Sequence, residues 1–468
     1  MKYLLLPLLF LVASFSNPPK KGEISLSRNY KVENTFSGDT ANNESFHLII
    51  AKNSKTKQCE IIPISNTNGE LNQLKSVSFD KMPSVLSYHN NGDGLTLIVS
   101  SKGKKEDEFT IVDINLSTGE SVKSDLISDK DFKTVIRKKH SNLLVFSDKA
   151  SIKILNIKDS KTTSEIAGES TKSTEDFLKD LNKNNLSAVN TNEYVANGSI
   201  DTFRAYAEEN SVFITKEDTK DNETVVLNLP LDGASLFKLE STVYKSKSIE
   251  DVKKSTSYVQ NGQLFQMSMS KVKGDLSIFN FQDNSETNLD LNTVKISKKS
   301  KDFESITEFL KQATRSKNKP TVTINETTSG DVSLRVDYVN KKEYNYNYNW
   351  WWHHNWAFQH HMMMMQQQIQ IQQQMRSFGP NSFDEVPFFA KDEKHHFEIV
   401  LNSSNTVIEN GELETIYQEI DKKKYIKELD DNTKVKHTST VFINNQLRYF
   451  GYNKKTKKYS VIYKEIND

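Results

Sequence analysis

The stretch from Ser84 to Ile127 reads SVLSYHN, NGDG, LTLIVSS, KGKKEDE, FTIVDINL, STGE, SVKSDLI. Two apolar segments, Leu95–Ser101 and Phe109–Leu116, face each other across a charged hairpin. Asn- and Gly-bearing turns set off a polar segment on either side. Short runs rich in Val, Ile, Thr and Phe, bounded by turn residues, are the signature of β-strands joined as hairpins. The module is therefore four short strands in up-and-down order.

The same paired strands recur along the chain. FHLIIAK with CEIIPIS covers Phe46–Ser65, NLLVFSD with ASIKILNIKD covers Asn142–Asp159, and SVFITKED with TVVLNLPLD covers Ser211–Asp232. QLFQMSMS with DLSIFNFQD (Gln263–Asp283) and QLRYFGYN with YSVIYKEI (Gln446–Ile466) follow the pattern. SLRVDYV with HFEIVLN completes seven, with Leu334, Val336 and Tyr338 alternating against Arg335 and Asp337. Successive copies start roughly 50 residues or more apart, somewhat above the span of a four-stranded propeller blade. With 9 Pro and 16 Gly in 468 residues, the turns fall to Asn, Asp and Ser, which tolerate left-handed backbone.

This recurrence resembles a degenerate β-propeller of about seven four-stranded repeats, of the kind common in secreted bacterial proteins. The resemblance covers nearly the whole chain but lies in the strand pattern alone, which six or eight blades, or a sandwich of two sheets, also fit. There is no Trp-Asp series, kelch double glycine or Asp-box. It implies an all-β domain over 17–468. Two segments with helical spacing interrupt the strands: STEDFLKDLNKN (Ser173–Asn184) and DFESITEFLKQATRSK (Asp302–Lys317), the latter with Asp302 as its cap. Both read as short helices on the outside or rim of the array. GELETIYQEIDKKKY (Gly411–Tyr425) reads as a third.

Residues 1–16 read as a secretory signal peptide: Lys2, an apolar run from Tyr3 to Ala13, then small residues Ser14 and Ser16. The mature chain is expected from Asn17, secreted or periplasmic. That apolar run falls short of the roughly 20 residues that span a bilayer, and no later run reaches 18. Cys59 is the only cysteine, so no intramolecular disulfide forms; in an alternating strand it reads as a small buried hydrophobe. Lys plus Arg number 62 against 61 Asp plus Glu. That balance argues against nucleic acid, or an anionic membrane, as the main partner.

Standard catalytic signatures are missing: G-x-S-x-G, H-E-x-x-H, the phosphate-binding G-x-x-x-x-G-K-[ST] loop and the EF-hand loop. Glu106, Asp107 and Glu108 beside Lys104 and Lys105 read as a solvated hairpin. The chain reads as a binding or scaffold module rather than an enzyme.

Between the two strands of the SLRVDYV copy lies a biased insertion, 343–392. Its Tyr344–Met375 tract, YNYNYNWWWHHNWAFQHHMMMMQQQIQIQQQM, holds all four Trp, four of ten His and five of nine Met. Ala357–Arg376 lacks Gly, Pro and Asp, so a helix of about five turns is expected there. Phe358, Met362, Met365 and Ile369 then form an apolar stripe beside Trp350, Trp351, Trp352 and Trp356. Exposed aromatic and Met surface is adhesive, which suits a contact device for a protein, polysaccharide or lipid surface. His354, His361 and Met365 fall on one line, and His353, His360 and Met364 on another. Imidazole with thioether suits copper, Cu(I) above all, so envelope copper handling is the alternative, although no cofactor is required. Two further readings are a tolerated low-complexity insertion and a β-aggregating Tyr-Asn and Gln run. An unrecognised propeller hydrolase or lyase ranks below these.

Overall fold

A computed structural model describes residues 22–103, 106–191, 194–195, 201–218, 220–232, 235–301, 303–316, 319–339, 394–409, 411, 413–417, 419, 429 and 434–466. The strands assemble into seven sheets, each built around one of the seven expected strand pairs. Sheets 1 to 3 open with Tyr30–Asp39, Ser84–Asn91 and Phe132–Arg137; sheets 4 to 7 open with Phe203–Ala207, Lys254–Gln260, Thr321–Glu326 and Val435–Ile443. Second and third strands follow as antiparallel hairpins. In sheet 1 these are Ser45–Asn53 and Cys59–Thr67, and in sheet 6 Val332–Val339 and Lys394–Leu401.

In sheets 1 to 4 the apolar runs are continuous rather than alternating because each of these sheets is covered on both faces. In sheet 1, Phe46, Leu48 and Ile50 join Leu95, Leu97 and Val99 of sheet 2 in one core. The intervening Ile49 and Ala51 join Phe450, Tyr459 and Val461 of sheet 7 in another. Sheet 2 repeats the device: Ile98, Phe109 and Ile111 turn to Leu144 and Phe146 of sheet 3. Leu143 and Val145 then face Val212 and Ile214 of sheet 4. Successive side chains in a strand point to opposite faces, so one run of residues supplies two inter-sheet cores. This is the packing of a β-propeller.

Fourth strands come from several places in the chain. Sheet 7 takes Glu23–Ile24 from the other end of the chain, paired with Ser460 and Tyr459. Sheet 6 takes Lys298–Lys299, which precedes it. Sheet 3 gains a parallel fifth strand, Leu236–Lys238, from the connection leaving sheet 4's third strand.

Among the described residues, two helices occupy connections between sheets. In α1 (Glu175–Lys183), Phe177, Leu178 and Leu181 enter the core between sheets 3 and 4. In α2 (Ile306–Arg315), Ile306, Phe309, Leu310 and Ala313 enter the core shared by sheets 5 and 6. The cap of α2 is Ser305 rather than Asp302: its backbone is extended and its Oγ accepts from Glu308 N at 3.2 Å. That geometry satisfies one of the amide groups a helix start leaves open. The expected third helix is corrected over its described part. Thr415 bridges Thr327, and Ile416 N donates to Glu326 O at 2.9 Å, so residues 414–416 run extended along sheet 6. An available sheet edge overrides weak helical spacing.

Candidate contact face at the root of the insertion

In each sheet a first link joins strands one and two, and a second link joins strands two and three. Side chains hold the first links together around one end of the molecule. Arg448 Nη2 donates to Asn43 O at 3.0 Å, and Tyr88 OH donates to Asp39. Arg137 pairs with Asp39 at 3.3 Å while lying 3.9 Å over the Tyr88 ring. Lys138 Nζ donates to the carbonyls of Glu208 and Glu209, and Gly262 N donates to Glu208 Oε1 at 2.7 Å. Because antiparallel strands reverse direction at each link, the second links lie at the opposite end. The insertion occupies the second link of sheet 6. Elsewhere that link has three to five residues.

The strands flanking the insertion stay in register to their last residues, Val339 opposite Lys394. On one face, Tyr338 stacks on His395 with centroids 4.7 Å apart. Phe309 of α2 packs edge-on against Tyr338 and Phe397, each at 4.9 Å. Tyr338 OH donates to Gln312 Oε1 of α2. Edge-to-face aromatic pairs add about 0.5–1.5 kcal/mol beyond the area they bury, so α2 clamps the root.

The other face carries Arg335 and Asp337, which strand alternation alone assigns to solvent. Both are buried, at 6% and 2% exposure. Arg335 donates to Asp337 at 3.0 Å, Glu398 at 3.4 Å and Glu419 at 2.8 Å, and to Tyr194 OH at 3.3 Å. Burial raises the Glu398 carboxyl above its usual range, opposed by Lys298 and Arg335. Burial likewise raises the Tyr194 hydroxyl. A guanidinium held by three carboxylates fixes the geometry of this face.

A related network joins sheets 4, 5 and 6. Arg204 Nη2 donates to Glu217 Oε1 at 2.7 Å and to Ser257 Oγ at 3.0 Å, and Lys319 pairs with Glu217 Oε2. Burial works to raise Glu217, yet Arg204 and Lys319 hold it below the usual carboxylate range. Sheets 7 and 1 are tied through Ser439, Ser37 and His47, with 2.7 Å from Ser37 Oγ to Ser439 Oγ and to His47 Nδ1. The three networks share a rule: a polar residue on a covered sheet face must find partners across the seam. Sequence reading missed them because a partner that completes each one, Glu419, Ser257 or Ser439, lies far along the chain from Arg335, Arg204 or Ser37.

Trp350, Trp351, Trp352, Trp356, Phe358, Met362, Met365 and Ile369 lie outside the described residues, as do His353, His354, His360, His361 and Met364. Among the described residues, no group of three or more His, Cys, Asp or Glu is placed to hold a metal. Cys59 packs in the core between sheets 1 and 2, and burial raises its thiol. Glu108 pairs with Lys81.

No family model and no curated protein matches the sequence. Among solved structures, the β-propeller domain of the Trilobed protease from Pyrococcus furiosus is similar at 9% identity, covering 94% of this chain and 97% of that one, with a TM-score of 0.34. The Dos1 propeller is similar at 11% identity, covering 62% of each chain, with a TM-score of 0.29. The WD40 domain of SCAP from fission yeast follows at 7% identity, covering 58% of this chain and 92% of that one, with a TM-score of 0.23. At these values the likeness adds nothing to the sheet topology, and the fold rests on the seven sheets themselves.

Proposed function

We propose that this chain is an exported binding scaffold in which a propeller carries the insertion at 343–392 as its contact surface. One observation supports this above the others: the strands on both sides of the insertion pair to their ends, Val339 opposite Lys394. The ladder of sheet 6 is complete without the insertion, which is therefore free to serve something other than folding. Its Trp and Met content suits adhesion. The leader-like residues 1–16 support export. No helix among the described residues is long and apolar enough to cross a membrane.

Replacing Tyr344–Lys391 by Asn-Gly tests the reading. The variant is expected to fold with unchanged or higher stability. Shortening a link of roughly 50 residues to two favours folding by on the order of 1–3 kcal/mol in loop-closure entropy. Binding to glycan arrays, liposomes or envelope extracts should fall sharply. Unfolding of the variant would make the insertion part of the core and overturn the proposal, and so would full retention of binding. A ligand profile answering to Cu(I) alone would transfer the tract to copper handling through its His and Met.

A further inference from the structure

The chain as a whole is balanced in charge, but its hairpin links are not: the second links are rich in Lys and the first links are acidic. The second links of sheets 1, 2, 3, 4, 5 and 7 read SKTKQ (54–58), GKKE (103–106), DKA (148–150), TKDN (219–222), SKVK (270–273) and KKTK (454–457). Each contains Lys in its sequence; their described residues hold 9 Lys against 3 acidic residues. The seven first links read TANNE (40–44), GD (92–93), KKHS (138–141), EEN (208–210), NG (261–262), TTSGD (327–331) and NN (444–445). They hold 2 Lys against 5 acidic residues. Lys55, Lys149, Lys220, Lys271 and Lys455 are exposed, one on each of five different sheets.

We infer that the second-link end of the propeller docks onto an anionic lipid bilayer surface. The inference rests on the reading that the end bearing the insertion is the contact end, and it names the partner. Two observations favour a membrane over a soluble polyanion. The described lysines are spread over the second links of sheets 1, 3, 4, 5 and 7, so a planar partner meets many at once where a single polymer strand crosses few. Val272, between Lys271 and Lys273 at the tip of sheet 5's link, is 69% exposed, the most exposed large apolar side chain among the described residues. An apolar tip flanked by cations fits the boundary between lipid headgroups and acyl chains. Basic residues near an anionic leaflet each strengthen binding, within a Debye length of the surface.

The test uses the mature full-length protein and sedimentation with phosphatidylcholine vesicles, with or without phosphatidylglycerol. Binding is expected only with phosphatidylglycerol, and added salt should release it. The variant Lys55→Gln, Lys271→Gln, Lys455→Gln should bind on the order of 100-fold more weakly, and the variant Lys139→Gln, Lys158→Gln, Lys161→Gln at the opposite end should change by less than about twofold. Both remove the same charge from exposed positions, so equal losses would reduce the effect to net charge and overturn the inference. Binding to dextran sulfate with none to the anionic vesicles would overturn it in favour of a soluble polyanion. Deletion of Tyr344–Lys391 separates the two readings. If the deletion abolishes vesicle binding and the second-link lysine variant binds like wild type, the insertion is the contact and the lysine inference fails. If the deletion variant retains binding that depends on phosphatidylglycerol, the lysine inference stands while the reading of the insertion as sole contact falls.

Discussion

His47 shows how a single polar residue is made to serve a buried seam. Its ring lies parallel to Phe450 at 4.5 Å, with Ser37 on Nδ1 and Ser45 on Nε2. Burial, reinforced by Arg448, pushes its pKa down to about 3. The folded value lies below the unfolded one of about 6.5, so between those limits the unfolded chain binds more protons and stability falls as pH falls. Above the unfolded value there is no contribution. From pH 7 to pH 4.5 this one residue is expected to cost about 2–3 kcal/mol. Urea unfolding of His47→Asn at both pH values checks it: the acid sensitivity should shrink by that amount relative to wild type. An unaltered pH dependence would show that His47 is not held neutral.

Among elements, α2 carries the most packing weight at the root of the insertion. Its apolar row is legible in sequence from the spacing of Phe303, Ile306, Phe309 and Leu310, but the surface it covers is not. Phe309 is fully buried and touches Phe303, Tyr338 and Phe397. Phe309→Ala should destabilise by about 3–5 kcal/mol, because the ring leaves a cavity that three other rings cannot fill without moving. Chemical denaturation measures the loss. A cost under about 1 kcal/mol would place α2 as a surface ornament. Sequence reading located both helices, while the Ser305 cap and the extended path of residues 414–416 needed knowledge of the adjacent sheet 6.

For the whole molecule, the decisive contact is the closing one. Glu23–Ile24 supplies the fourth strand of sheet 7, with Ile24 buried, Leu26 packed in the same core, and Glu23 paired with Lys458 at 2.8 Å. Removing residues 22–26 turns Lys458–Glu465 into an unpaired edge. The midpoint of thermal unfolding should drop, and amide exchange at Tyr459 and Ser460 should quicken ahead of exchange in sheets 3 and 4. Local opening of this kind precedes global unfolding wherever a cooperative unit loses a neighbour. Equal exchange throughout the molecule would deny the strand its closing role.

The sequence alone determined the repeat, whereas the tertiary structure decided that it makes seven sheets rather than six or eight blades or a two-sheet sandwich. Each of the seven central hairpins, from Phe46–Ser65 to Gln446–Ile466, writes its identity locally, in runs of apolar residues broken by Asn- and Gly-bearing turns. It also marked the place of the insertion, because SLRVDYV and HFEIVLN still alternate as strands on either side of it. Tertiary structure decided which residues meet across seams, because those pairings join positions far apart in the chain. Arg335 with Glu419, Arg204 with Ser257, and Ser37 with Ser439 are examples. It also decided where the charge goes. A net charge is a sum over the chain and carries no direction, whereas up-and-down strands send alternate links to opposite ends. The lysines of 54–58, 270–273 and 454–457 therefore gather at one end of a molecule whose charges nearly cancel.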